Sequence, residues 1–202
     1  MVFHYPNGQP HLNNAANLRK SQAKEKINFA NRGMNFEEAI NQSNDYYLNH
    51  QIAVIHKKPT PIQIVKVDYP RRSAAVIKEA YFRHASTTDY NGVYQGFYLD
   101  FEAKETKNKT SFPLKNFHEH QIKHMQDCLA QKGICFVLMW FSSLNRCFFL
   151  SAEILINYWH LPDGKSSIYL KQIEEEGFEI TMGVAPVLPY LKAVDQFIAS
   201  KN

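Results

Sequence analysis

The sequence predicts a single α/β domain, because helix-type and strand-type stretches alternate along a chain whose 202 residues suit one sizeable core. Three stretches carry the prediction: helical patterns at 35–49 and 116–131, and an unbroken apolar run at 134–141 of the length expected for a buried strand. The 45% hydrophobic and 13% aromatic content excludes a disordered chain. No apolar run approaches the ~18 residues of a membrane span, and the polar N-terminus lacks the apolar stretch of a signal peptide, so a cytoplasmic location is expected. Cys128, Cys135 and Cys147 have no CxxC spacing and read as small core hydrophobes.

Taken in order, residues 1–30 are polar, basic and without hydrophobic period, and read as a flexible arm before a domain spanning 31–202. Over 35–49, Phe36, Ile40, Ser43 and Tyr47 recur at helical spacing, and Asn35 with Glu38 resembles an N-terminal capping pair. Residues 52–55 suit a short buried strand. Pro59, Pro61 and Pro70 then punctuate a segment unsuited to a compact core, with a strand over 62–67 and either strand or helix over 74–82. A strand at 93–101 follows an expected Asn91-Gly92 turn, the helix at 116–131 is closed by Gly133, and strands at 134–141 and 147–150 precede a terminal helix at 193–200.

The net charge of +4 is mild, but its distribution is not. Between Lys57 and Arg83 stand Lys57, Lys58, Lys66, Arg71, Arg72, Lys78 and Arg83 against Asp68 and Glu79, a local excess of five positive charges. Concentrated positive charge suits a phosphate backbone, because each neutralised phosphate releases condensed counterions. A solvated surface is the alternative.

Chemistry concentrates in Thr87-Thr88-Asp89 and in the run Asp100-Phe101-Glu102-Ala103-Lys104. Strand alternation puts Asp100, Glu102 and Lys104 on one face and Leu99, Phe101 and Ala103 on the other. Two carboxylates with a nearby lysine suit phosphodiester hydrolysis, where carboxylate oxygens hold a hard cation such as magnesium. The segment between Asp89 and Glu102 has room for a hairpin that brings both to one ion. Gln121, on or beside the inward face of its helix, either reaches this cleft as a metal or water ligand or bonds a nearby backbone group.

The runs Asn31-Arg32-Gly33-Met34, Ile52-Ala53-Val54-Ile55-His56-Lys57-Lys58-Pro59-Thr60-Pro61, Ser86-Thr87-Thr88-Asp89-Tyr90-Asn91-Gly92 and Asp100 through Leu114 closely resemble the RecU Holliday-junction resolvases. The resemblance implies a restriction-endonuclease-like PD-(D/E)XK fold, a central mixed sheet flanked by helices, with 58–83 forming a projecting basic stalk. It implies magnesium, with manganese as a substitute, and a homodimer cutting four-way junctions; association with the RecA recombinase and the RuvAB machinery is implied by the resemblance alone. Carried over by position, it makes Thr87, Asp89, Glu102 and Gln121 the metal-site residues and Asp89, Glu102 and Lys104 the catalytic set. Lys57, Lys58, Arg71, Arg72, Lys78 and Arg83 become the DNA-binding cations, with Arg71 and Arg72 near the stalk tip. Asp100 is expected to support the site without ligating, and Glu37 either orders metal-bound waters or is a solvated helix-start acid. Where relatives carry Pro-Arg-x-Asp-Tyr, this chain has Pro186-Val187-Leu188-Pro189-Tyr190, without the charges. Two rival readings are a same-fold nuclease acting on duplex DNA and a non-catalytic DNA-binding modulator of recombination.

Overall fold

A computed structural model describes residues 35–69, 75–82, 87–161 and 166–201. The arm at 1–30, the Asn31-Arg32-Gly33-Met34 run, Arg71, Arg72 and Arg83 lie outside the described residues. The elements below all belong to the compact unit Phe36–Asn202.

Helix α1 (Phe36–Asn49) turns Phe36, Ile40, Ser43 and Tyr47 inward, at the spacing read from the sequence. The chain continues through β1 (Val54–Lys57), β2 (Ile62–Asp68), β3 (Val76–Phe82), β4 (Tyr90–Tyr94), β5 (Phe97–Thr106) and β6 (Ser111–Pro113). A 3-10 turn (Leu114–Asn116) leads into α2 (Glu119–Ala130), followed by β7 (Ile134–Phe141) and β8 (Arg146–Ser151). The last third holds α3 (Ala152–Trp159), β9 (Ser167–Tyr169), α4 (Leu170–Glu176), β10 (Phe178–Ile180) and α5 (Leu191–Lys201).

Six strands form the central sheet in the order β1-β4-β5-β7-β8-β10. The β5–β7 pair is parallel, joined through α2, and the other pairs are antiparallel, so the sheet is mixed. With the helices flanking it, this is the predicted α/β arrangement and is consistent with a restriction-endonuclease-like fold.

Alternation along the strands feeds two cores. Leu99, Phe101, Phe136, Leu138 and Phe149 pack with α1 and α5 residues such as Ile40, Tyr47 and Val194. Cys135, Val137, Met139, Phe148 and Leu150 pack with Ile122 and Met125 of α2, Leu155 of α3 and Ile173 of α4. Asp100 and Glu102 lie across from Cys135 and Val137, which sets both acids on the α2 side. The divergent Pro186–Tyr190 segment is itself structural: Leu188 N–H donates to Ser43 Oγ at 2.8 Å, and the Tyr190 hydroxyl bonds Asn44.

Among the described residues, strands β2 and β3 pair only with each other, as a separate antiparallel ribbon. Nearly every ribbon residue is exposed, on both faces, which agrees with a segment lacking core periodicity. The undecided stretch at 74–82 resolves as a strand over Val76–Phe82.

Two local expectations are corrected. Asn91 and Gly92 do not form a turn; they lie inside β4, and the β4–β5 hairpin turns at Gln95 and Gly96, whose φ values are +49° and +84°. Gly92 is required by crowding, since a Cβ there would stand 2.1 Å from the Val54 carbonyl oxygen of β1. Likewise the left-handed residue closing α2 is Lys132, at φ +64°, and not Gly133. Gly133 instead admits a close approach of Cys128 O and the Tyr98 ring, which a Cβ would meet at 3.1 and 3.2 Å.

Candidate active site

Strand β5 supplies the acids and its hairpin partner supplies the loop that meets them. The β4–β5 register sets Tyr90 opposite Phe101, which places Asp89, just before β4, beside Glu102 on β5. The Asp89 backbone N–H donates to Glu102 Oε2 at 3.1 Å. Glu102 is fully buried. Lys104 Nζ stands 2.8 Å from Glu102 Oε1 as an ion pair, and among the described residues no other donor reaches that buried oxygen. Burial pushes the Glu102 carboxyl up to about 8; the Lys104 charge opposes the shift and the neighbouring Asp89 adds to it.

The chain before β2 closes the other side. Lys58 N–H donates to the Asp89 carbonyl at 2.7 Å. A cavity of about 400 Å³ opens here, lined among others by Glu37, Lys57, Lys58, Thr87 and Asp89. The Thr87 hydroxyl, half-buried, donates to the Thr88 carbonyl at 3.2 Å. Glu37 pairs with Lys57 at 2.5 Å, both side chains well exposed. Glu102 does not line this cavity.

Gln121 is buried in the first turn of α2, where its Oε1 accepts the His118 N–H at 3.0 Å. This is the backbone bond that the sequence named as one of two roles for Gln121. Among the cations, Lys78 sits 3.8 Å from Asp68 on the exposed ribbon. Lys58 is turned inward: its Nζ donates to Asp100 Oδ2 at 2.8 Å and to Thr88 Oγ1 at 3.0 Å.

Asp100 is the hub of that inner network. It is fully buried and accepts from Lys58, Thr88 and, at 2.7 Å, the Tyr98 hydroxyl, with His124 Nε2 at 3.2 Å. Burial alone would raise its pKa, yet the bonds from Lys58, Thr88 and Tyr98 outweigh burial and hold the carboxyl below its ordinary value. A supporting acid is the role the sequence reading gave Asp100. Its partners Tyr98, Lys58 and His124 were missed; the signal available for His124 was its place one turn after Gln121 on the inward face of α2.

The donors around Asp89 fit a hard divalent cation. They are oxygen donors, two of them carboxylates, and Glu102 offers a buried oxygen whose one close partner among the described residues is the Lys104 ammonium. Thr87 contributes a hydroxyl at the rim of the same cavity.

Among the described residues no helix is long and apolar enough to cross a membrane. The sequence pattern of the family described as Recombination protein U matches residues 31–196. A Lactobacillus helveticus protein is 66% identical over 87% of this chain and 83% of its own length. A Lactiplantibacillus plantarum protein is 62% identical over 98% of this chain and 97% of its own. One from Limosilactobacillus reuteri is 56% identical along the whole of both chains. Each is described as Holliday junction resolvase RecU.

Proposed function

The chain belongs to the RecU family, and from that premise we propose that it is a Holliday junction resolvase, a structure-selective endonuclease making paired incisions in four-way DNA junctions during recombination and repair. The observation that carries the chemistry is the meeting of Asp89 with Glu102, whose buried Oε1 faces the Lys104 ammonium at 2.8 Å.

In this reading Asp89 and Glu102 hold a magnesium ion, for which manganese substitutes, with Thr87 and Gln121 completing the site. When bound, the ion polarises the scissile phosphate and makes a water more acidic. Lys104 orients the attacking water or offsets charge developing on the phosphate. The Gln121 Oε1 accepts the His118 N–H and keeps a second lone pair for the ion, so it fixes the first turn of α2 while serving as a ligand. Glu37, at the cavity rim, orders waters. Lys58 and Asp100 hold the Asp89 loop in place, so Lys58 contributes through its backbone and its part-buried, inward-turned ammonium more than through phosphate contact. Lys57, Lys78, Arg71, Arg72 and Arg83 bind DNA, with the 58–83 ribbon serving as a stalk for the junction centre and 1–30 as a basic arm. A junction needs two incisions and one chain supplies one site, so the working form is a two-fold homodimer in the cytoplasm.

The test is to incubate the purified protein with a synthetic four-way junction, with magnesium or with chelator, and map the cuts. Symmetric cation-dependent incisions near the crossover are expected. Equal rates on linear duplex would replace the reading with a duplex nuclease, and binding without cutting would replace it with a non-catalytic modulator.

A further inference from the structure

The side of Asp100 away from Asp89 carries a second donor set of different chemistry. His124 and Cys128 stand one helical turn apart on α2, and with Asp100 their donor atoms all lie within 4.8 Å of one another. His124 Nε2 is 3.2 Å from Asp100 Oδ2 and 3.6 Å from Cys128 Sγ. Tetrahedral zinc, with bonds of roughly 2.0–2.3 Å, separates neighbouring ligand atoms by about 3.3–3.8 Å. Both measured separations are close to that edge length. Cys135 lies across from Asp100 in the β5–β7 register, outside the group of donors that converge within 4.8 Å, so it would have to shift to become a fourth ligand. Unlike fully buried Cys147, Cys128 is only partly buried. With Tyr98 and His124 it lines a cavity of about 590 Å³, which provides an entry path.

We propose that Asp100, His124 and Cys128, with Cys135 or water in the fourth position, form a site for a borderline transition-metal ion of the zinc class, and that its occupancy inhibits the nuclease. The sulfur, nitrogen and oxygen donors select such an ion over magnesium, which favours oxygen alone. Binding releases the Cys128 thiol proton to solvent, and His124 ligates through Nε2 with its remaining proton on Nδ1. Inhibition follows from the shared carboxylate oxygen. A dication at Asp100 Oδ2 opposes the Lys58 ammonium now held there, and Lys58 Nζ has the cavity beside Asp89 into which to swing. Lys58 also fixes the Asp89 carbonyl through its own N–H, so its displacement loosens the Asp89 loop.

The test uses the full-length chain stripped of metals and titrated with cobalt(II) in excess magnesium. One equivalent is expected to give a near-ultraviolet thiolate-to-cobalt charge-transfer band and the intense visible bands of a tetrahedral ion, both displaced by zinc. Cys128→Ser and His124→Asn should each weaken cobalt binding by at least about tenfold, whereas Asp89→Asn should leave the spectrum intact. In the junction assay, zinc at one equivalent should slow magnesium-dependent cutting by the wild type, and Cys128→Ser should cut normally without zinc and resist it. Absence of the bands, or bands that survive both substitutions, would overturn the site. Zinc inhibition unchanged in both variants would overturn the coupling and assign inhibition to the Asp89–Glu102 centre. If either variant proves unstable by thermal melting, Cys128→Ala and His124→Gln repeat the titration, and bands unchanged in both would overturn the site.

Discussion

The Glu102 carboxyl separates folding from chemistry. Its pKa, pushed up to about 8 mainly by burial, means that the folded state keeps a proton the unfolded chain releases above its ordinary value of 4.5. The contribution to stability is therefore whole below that ordinary value and is lost as pH rises toward about 8. Glu102→Gln has no such proton to lose, so the cation-free variant should out-melt the wild type increasingly across this window. We expect a gain of at least about 3 °C at its upper end by scanning fluorimetry, with magnesium narrowing the gap by binding the wild type alone. The same variant, and Asp89→Asn, should abolish junction cutting while leaving junction binding intact in gel-shift titrations. Lys104→Ala should bind but cut about 10²–10³-fold more slowly in single-turnover assays. Asp89, Glu102 and Lys104 were legible because a two-residue strand period and a short hairpin are local rules. The Asp100 network was not, because it closes between residues 24 and 42 positions apart on different elements.

At the scale of elements, Gly92 ties the site to the sheet edge. Its missing Cβ lets β1 lie against β4, which leads out of Asp89, and a methyl group would meet the Val54 carbonyl backbone-on, where no rotamer can yield. Gly92→Ala should destabilise the fold by at least the ~1–3 kcal/mol of core overpacking, read as a lower denaturant midpoint. The Asn-Gly pair is the strongest short hairpin signal, which is why the sequence suggested a turn where the three-dimensional reason is a neighbouring strand. Strand β7 was read to its exact ends because it is one unbroken apolar run, whereas β9, β10 and α4 are too short to show a period. The ribbon was legible through its prolines and missing core pattern. Replacing Arg71 and Arg72 together with alanine should lower the salt slope of junction binding by roughly one to two and reduce the preference for junction over duplex; salt titrations on both substrates measure it.

Across the described residues, one sheet separates two cores, and Asp100 and Glu102 lie on the α2 side of it, on a strand flanked on both edges. The α/β class followed from the alternation of patterns, but the strand order did not, since the β5–β7 pairing is made across α2. Sedimentation velocity at working concentration should show a dimer, and a monomer that still cuts both strands of a junction would contradict the two-fold arrangement. Lys58 precedes the ribbon and Thr88 follows it, and both side chains end on Asp100. That carboxylate is two residues from Glu102 on the same face of β5. In mechanical terms the ribbon is a lever whose two roots share one fulcrum, set in the middle of the sheet. Neutralising the Asp100 carboxylate would therefore release the Lys58 and Thr88 anchors in one step, on the strand that also carries Glu102.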